Sequence, residues 1–492
     1  MLLSDLIEKL DYKIISGDIN TEINRLVYDS RKVDTGDVFV CIKGAVSDGH
    51  DYFKQVIEKG AAAVIVQQDA DISGQYDGVT VIATEDTRLA LAYMSAAYFG
   101  YPAKRIKTIG ITGTKGKTTT TYMVKKILDK CNIKTGLIGT IETIIGDERI
   151  PSKNTTPESY TVHEYFDRMV KAGCECVVME VSSQALKYHR TAGIKFDIGV
   201  FTNLEPDHIG PNEHSDFEDY LRCKSRLFKQ CDVGIVNSDD EHFPEVTRGR
   251  ICPIETYGVR KKADINAYNI VYSHKDGKIS TAYDVNGKHR MHVELSVPGE
   301  FSIYNSLCAI SISRHFNVDE ELLKEALRAV TVDGRVEPVK VSDDYSVMID
   351  YAHNAMSLKS LLKTIREYKP ERLITLFGCG GNRSKDRRFE MGEISGKLSD
   401  FTIITSDNPR YEEPQDIMND IETGIRKTDG KYIKIEDRGE AIKYALSCAK
   451  AGDIIVIAGK GHEDYQEIKG VRYHQTDREL VMKAMEELKQ EG

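Results

Sequence analysis

The sequence predicts an α/β fold in three domains, and three observations carry that prediction. Short apolar runs alternate with longer amphipathic stretches along nearly all of the 492 residues, the rhythm of parallel strands with helices packed on both faces. A glycine-rich turn, Gly113-Thr114-Lys115-Gly116-Lys117-Thr118-Thr119, joins the apolar run Ile109-Gly110-Ile111-Thr112 to a helical stretch. The rhythm breaks at Gly100-Tyr101-Pro102 and restarts near residue 333, which places the domains at 1–104, 105–332 and 333–492.

In the first domain Val38–Ile42 and Ala62–Val66 read as buried strands. Asp86 to Phe99 reads as a helix opened by an acidic cap and closed by Gly100 and Pro102. The central domain offers Thr108–Thr112, Thr135–Ile138, Cys176–Val181, Ile198–Thr202 and Val233–Val236, each apolar nearly throughout, as strands covered on both faces are. Cys174 and Cys176 are both read as strand residues. Around 265–297 the pattern turns alternating, with a turn at Asn286-Gly287, and predicts an antiparallel appendage. The last domain restarts with Val347–Asp350, Leu373–Phe377, Thr402–Thr405 and Ile454–Ala458, a Rossmann-like α/β unit.

Bulk properties narrow the class of function. A formal net charge of -10 argues against a nucleic-acid partner, since polyanion binders carry basic patches. The ten cysteines are scattered without a C-x2-C pair, which fits free thiols in a reducing compartment. No basic leader and no apolar run of about 20 residues occurs. The expectation is a cytoplasmic protein with no membrane partner.

The glycine-rich turn carries the first chemistry. Glycines let backbone amides approach an anion, and the helix start adds partial positive charge. Lys117 supplies a mobile cation and Thr118 a hydroxyl suited to Mg2+. Five residues separate Gly110 from Gly116, one more than the general phosphate-loop pattern allows. Glu180 ends a predicted strand, where a carboxylate suits either a hard cation or a backbone cap. Ser182 and Ser183 follow it as phosphate binders or a plain polar turn. His208 reads as a metal ligand or as a structural histidine. Lys224, on an amphipathic helix, reads by itself as solvated. In the last domain four strands end in polar loops: Asp350 to His353, Gly378 to Asn382 with Arg383 directly after, Ser406 to Arg410 and Gly459 to Glu463. Ligands of open α/β sheets sit at such strand ends, and this mixture of charges suits both ends of a zwitterion.

These motifs, in this order, resemble the Mur ligases. Asn154-Thr155-Thr156-Pro157, Met179-Glu180-Val181-Ser182-Ser183, Asn203-Leu204 with Asp207-His208, Asp333-Gly334-Arg335, Asp350-Tyr351-Ala352-His353, Ser406-Asp407-Asn408-Pro409-Arg410 and Ala458-Gly459-Lys460-Gly461-His462-Glu463 follow the phosphate loop. The longer loop spacing is itself a family trait, and the resemblance runs from about Asp29 to Arg478. It implies a central ATPase domain and an ATP-dependent ligase that activates the D-glutamate carboxylate of a UDP-muramoyl dipeptide as an acyl phosphate. An incoming diamino acid, meso-diaminopimelate on the form of Asp407 to Arg410, then forms the amide. The cofactors implied are ATP and Mg2+, and a monomer is expected.

By the same resemblance Gly113, Thr114, Lys115, Gly116, Lys117, Thr118 and Thr119 hold ATP, with Asn305 and Arg335 beside the adenosine. Lys117, Glu180, His208 and Lys224 are catalytic. Thr118, Glu180, His208 and Lys224, as a carbamate, serve the metal. Ser30, Asn154, Thr155, Thr156, Ser182 and Arg190 hold the UDP precursor. Arg383, Asp407, Asn408, Arg410, Gly459 and Glu463 bind the amino acid. Departures from the family pattern fall at Lys115, Gln184, Tyr188, Ile209 to His214, Asn382 and Phe389. They keep open a paralogous amide ligase with another carboxylate or amine; a nucleotide-binding regulator without ligation is a further reading, against which Glu180, His208 and Lys224 stand.

Overall fold

The computed structural model describes residues 1–44, 47–72, 76, 78–206, 209–210, 213–286 and 290–491. They pack as two units, Met1–Asp264 with Cys308–Val318, and Ile265–Leu307 with Asp319–Gly492.

The first unit holds two sheets. Among the described residues, β1 (Tyr12–Ser16), β2 (Leu26–Val27), β3 (Val38–Val40), β4 (Ala63–Gln67) and β5 (Thr80–Thr84) order as β1-β5-β4-β3-β2, with β1 an antiparallel edge on an otherwise parallel sheet. The helix Thr87–Tyr98 packs Leu91 and Met94 against one face, and Asp86 caps it by accepting from the Arg88 and Leu89 amides. The predicted Asp86–Phe99 helix is therefore right to within its two caps. Phe39, Val64 and Val81 fill the other face with Val56.

The second sheet of this unit runs β13-β12-β11-β6-β10-β7-β8-β9. Its members are β6 (Lys107–Thr112), β7 (Thr135–Ile138), β8 (Glu142–Ile145), β9 (Glu148–Pro151), β10 (Cys176–Glu180), β11 (Phe196–Phe201), β12 (Cys231–Asn237) and β13 (Ile254–Gly258). β6 lies between β10 and β11 with all three parallel, and Glu180 is in register with Ile111. Ile109, Ile111, Val177, Val178 and Val200 are fully buried. Each such side chain contributes about 1.5–3 kcal/mol on burial, which explains why these runs sit at the sheet centre. Cys176 opens β10, but Cys174 precedes it, because the chain is still turning out of the helix Ser159–Lys171 at Gly173.

In the second unit, β14 (Ile265–Lys275), β15 (Lys278–Asn286) and β16 (Met291–Leu295) form the expected antiparallel appendage. The predicted turn at Asn286-Gly287 lies outside the described residues at Gly287; β14 turns into β15 at Asp276-Gly277. A second sheet comprises β17 (Glu337–Val339), β18 (Ser346–Asp350), β19 (Leu373–Phe377), β20 (Phe401–Ile404), β21 (Tyr432–Lys434) and β22 (Ile454–Ala458), in the order β17-β18-β22-β19-β20-β21. All neighbours are parallel except the edge strand β17. Met348, Phe377 and Val456 face the helices Ala355–Arg366, Lys385–Leu398 and Pro414–Ile425, while Ile349, Leu376 and Ile457 face Arg438–Ser447 and Asp477–Glu491. A hairpin, β23 (Tyr465–Ile468) with β24 (Val471–His474), follows β22. The class is the predicted α/β, with the phosphate-loop sheet central in the chain and a Rossmann-like sheet last.

Candidate active site

The glycine-rich loop is built where β6 ends. Gly113 has φ +152°, and a Cβ there would lie 1.9 Å from Thr202 Oγ1, so the loop closes on β11 only because the residue is glycine. The Thr114 and Lys115 amides donate to Asn203 O (2.9 Å) and Asn203 Oδ1 (2.8 Å), which ties the loop to the end of β11. The helix Lys117–Lys130 starts inside the loop. Lys117 Nζ donates to Gly113 O (2.8 Å) and Thr114 O (3.0 Å), so its ammonium folds back over the loop. Thr119 is half-buried on the same first turn. Lys115, the residue that departs from the family pattern, forms an ion pair with Glu205 at 2.6 Å.

Glu180 ends β10 beside this loop and is fully buried. Its carboxylate accepts from Thr118 Oγ1 (3.1 Å), Thr140 N (2.8 Å) and Thr140 Oγ1 (3.0 Å). A buried carboxylate among hydroxyls is a set of hard oxygens, so the donors fit Mg2+. Thr140 was not singled out in the sequence, although it sits just past the end of β7. His208 lies outside the described residues. Lys224 is 1% exposed, contrary to the solvated reading of its helix. The helix Phe217–Ser225 turns that face inward, so Nζ donates to Gly113 O (2.8 Å) and lies 4.5 Å from the Tyr220 ring centre. An ammonium there does not suit a cation site; only its carbamate would. Tyr220, in turn, hydrogen-bonds Thr114 Oγ1 at 3.0 Å.

Thr156, Ser182 and Arg190 come together as one network. Thr156 Oγ1 donates to Glu180 O (2.8 Å) and accepts from Ser182 N (3.0 Å), and Arg190 Nη1 donates to Thr156 O (3.1 Å). Thr155 joins through Thr140 (3.1 Å). Arg190 faces a cavity of about 890 Å³ shared with Lys43, His50, Arg88, Gln184 and Tyr188. Asn154 is exposed, and Ser30 sits in the turn Ser30–Lys32, where its carbonyl accepts from Lys59 Nζ (2.8 Å); neither lines that cavity.

The region of departure at 209–214 has a defined partner set at its end. Buried His214 hydrogen-bonds Ser183 Oγ through Nε2 (2.8 Å) and Asp219 Oδ2 through Nδ1 (3.0 Å), while Lys187 and Arg222 also bind Asp219. Burial alone would raise the Asp219 carboxyl, but donation from Lys187, His214 and Arg222 outweighs it and holds the group well below the usual range. A depressed carboxyl stabilises the fold above its unfolded value near 4 and loses that contribution as pH falls. The Tm advantage of the wild type over Asp219→Asn is therefore expected to persist from pH 7 to 5 and to shrink below about pH 4. A difference unchanged down to pH 3 would mean the carboxylate is not held this way.

In the second unit the four predicted strand ends are adjacent, because β18, β22, β19 and β20 are consecutive in the sheet. Asp407, Asn408 and Lys460 are buried there. Gly459 has φ +111°, and a Cβ on it would lie 2.7 Å from Asp407 Oδ2, so glycine lets that carboxylate close on the turn. Asn408 Nδ2 donates to Glu463 Oε2 (2.8 Å), and Lys460 lies 3.8 Å from the same carboxylate. Burial pushes the Glu463 carboxyl up and the Lys460 ammonium down. Arg410 is half-buried, whereas Arg383 is exposed in the loop after β19 with no partner among the described residues. Arg335 lies 5.1 Å over the Tyr351 ring, which also meets the His462 ring at 4.8 Å with the planes tilted by 42°. Burial and the Arg335 charge lower His462 to about 4. Asn305 is buried on the helix Glu300–Ser313. Lys460, legible in the sequence as one of the mixed charges of the strand-end loops, is the one of them most deeply buried.

Three family models match the chain: the Mur ligase family catalytic domain over residues 22–99, the Mur ligase middle domain over 111–313, and the Mur ligase glutamate ligase domain over 334–461. The UDP-N-acetylmuramoyl-L-alanyl-D-glutamate–2,6-diaminopimelate ligase of Clostridium perfringens is 43% identical over 493 residues, covering 99% of this chain and 100% of its own length. The ligase of the same name from Caldanaerobacter subterraneus subsp. tengcongensis is 42% identical over 488 residues, 99% of each. A solved structure of a UDP-N-acetylmuramoyl-L-alanyl-D-glutamate–2,6-diaminopimelate ligase matches with a TM-score of 0.75 at 26% identity over 99% of both chains. The MurF ligase of Thermotoga maritima, solved with ADP, shares the fold at 19% identity and a TM-score of 0.58, over 96% of this chain and 100% of its own. With phosphate loop, strand-end loops and whole-length relatives in agreement, the chain belongs to the Mur ligase family.

Proposed function

We propose that this chain is the ATP-dependent ligase that joins UDP-N-acetylmuramoyl-L-alanyl-D-glutamate to meso-2,6-diaminopimelate, through an acyl phosphate, in peptidoglycan synthesis. The observation that carries it is 43% identity along the full length of a ligase of that name. We divide the chain at 104/105 and 332/333, and read it as a cytoplasmic monomer. No described helix is long and apolar enough to cross a membrane.

ATP supplies the phosphoryl group, and Mg2+ offsets its charge. Thr118, Glu180 and, as a carbamate, Lys224 are assigned to the metal together with His208. Lys117 and the loop amides of Gly113, Thr114, Lys115, Gly116 and Thr119 cradle the phosphates, and Lys117 exchanges its carbonyl partners for phosphate oxygens. Asn305 and Arg335 serve the adenosine. Ser30, Asn154, Thr155, Thr156, Ser182 and Arg190 are assigned to the precursor. Asp407, Asn408, Gly459 and Glu463 hold the amino acid's ammonium end, while Arg410 and Arg383 fork its second carboxylate.

The deciding experiment incubates the protein with ATP, Mg2+, the UDP-muramoyl dipeptide and single amino acids, with mass analysis of products. The expected result is a tripeptide with meso-diaminopimelate and stoichiometric ADP. Absence of any tripeptide would sink the reading. A paralogous amide ligase is the second reading, favoured by the departures Gln184 and Tyr188, which line the same cavity as Arg190.

A further inference from the structure

The loop Asp407-Asn408-Pro409-Arg410 does not hold its shape alone. β23 runs along it. Gln466 Nε2 donates to Asp407 O (2.9 Å) and the Glu467 amide donates to Asn408 Oδ1 (2.9 Å). Arg410 N donates to Glu467 O (2.9 Å), and Lys469 N returns a bond to Arg410 O (2.6 Å). Arg410 is thereby fixed at φ +55°, a left-handed conformation that a side chain of this size seldom adopts. Strain of this kind persists where neighbours over-determine it, and such positions cluster at ligand sites.

The side chain is aimed by the same strand. Arg410 Nη1 donates to Gly381 O (3.3 Å), and Nε is buried without a hydrogen-bond partner. The Glu467 carboxylate lies 3.7 Å from that Nε, an ion pair too long for a hydrogen bond, with Glu467 19% exposed. Nη2 has no partner among the described residues. The guanidinium is thus steered at Nε by a charge and at Nη1 by a carbonyl, which leaves Nη2 uncommitted.

We propose that Glu467 is a positioning residue that sets Arg410 for the second carboxylate of the amino-acid substrate, so that β23 selects a dicarboxylic diamino acid over one with a plain ammonium tail. The proposal rests on the reading of Asp407–Arg410 as the amino-acid site. Glu467 touches Arg410 and its own strand; it acts through the arginine. The main-chain bonds of residue 467 survive any substitution there except proline, so the variants separate charge from fold.

The test measures kcat and KM for meso-diaminopimelate and kcat/KM for L-lysine, by ADP release, in wild type, Glu467→Gln and Glu467→Asp. Loss of the charge in Glu467→Gln is expected to raise KM for meso-diaminopimelate about tenfold with kcat within twofold, the scale of one charge-assisted contact. kcat/KM for L-lysine, which has no second carboxylate, should not move. Glu467→Asp keeps the charge at shorter reach and should fall between. Equal losses for both amino acids, or no loss for either, would overturn the proposal. A wild type that does not discriminate between the two amino acids sinks the site reading and this proposal with it; discrimination undiminished in Glu467→Gln sinks this proposal alone.

Discussion

Lys117→Met is expected to lower kcat for ADP formation by at least about 100-fold while leaving thermal stability nearly unchanged. The reasoning is geometric. Lys117 Nζ rests on the carbonyls of Gly113 and Thr114, 2.8 and 3.0 Å away, on the first turn of the helix that opens inside the loop. On the proposed reading, an ammonium held over this loop gives up those carbonyls for a phosphate oxygen. Methionine keeps the length of the stem and removes the charge, so the helix start persists while the transferring group loses its cation. The residue is only half-buried, and removing it leaves no large cavity. The measurement is ADP release under saturating precursor, paired with a thermal melt. Activity within tenfold of wild type would mean that the loop amides alone supply the stabilisation and that Lys117 is not catalytic. A melt lowered by many degrees would instead mark it as part of the fold.

Lys224→Ala should abolish turnover, for a different reason. Lys224 is 1% exposed and points its Nζ at Gly113 O, against the Tyr220 ring. A buried ammonium serves the loop structurally; a carbamate at the same place presents a carboxylate next to a phosphate site, which is what a cation needs. The two states are distinguishable. With 13C-bicarbonate the wild type is expected to show a carbamate resonance that Lys224→Ala lacks, and wild-type activity should rise with bicarbonate after exhaustive degassing. Activity of Lys224→Ala close to wild type would show that no such group is used. An inactive alanine variant with no carbamate signal in the wild type would leave the lysine a structural prop for Gly113.

The local features were legible because their physics is local. Runs such as Ile109–Thr112 and Ile454–Ala458 are apolar on both faces, and only a strand covered twice needs that. Asp86 and Gly100 bracket a helix by capping rules that act within one turn. The glycines, Lys117 and Thr118 mark a strand–loop–helix turn of exposed amides even though the spacing runs one residue over the usual phosphate-loop pattern, and the polar runs after β18, β19, β20 and β22 are legible as strand ends.

What sequence could not supply was anything set by long-range packing. The order β18-β22-β19-β20, which makes those four loops neighbours, depends on which crossovers the helices take. Lys224 read as solvated because amphipathic spacing says which residues share a face and not what that face meets. Glu467 carried no motif of its own, and Lys460 only its place in the strand-end run Ala458–Glu463. Their meaning comes from where β22 and β23 lie along Asp407–Arg410, contacts between residues far apart in the chain. The sequence by itself determined the class, the strands and the glycine-rich loop after β6, because hydrophobic period, capping and glycine conformations are short-range. Only the tertiary structure decided which charges are buried, which carboxylate faces which cation, and how Arg410 is aimed, because those depend on where strands come to lie side by side.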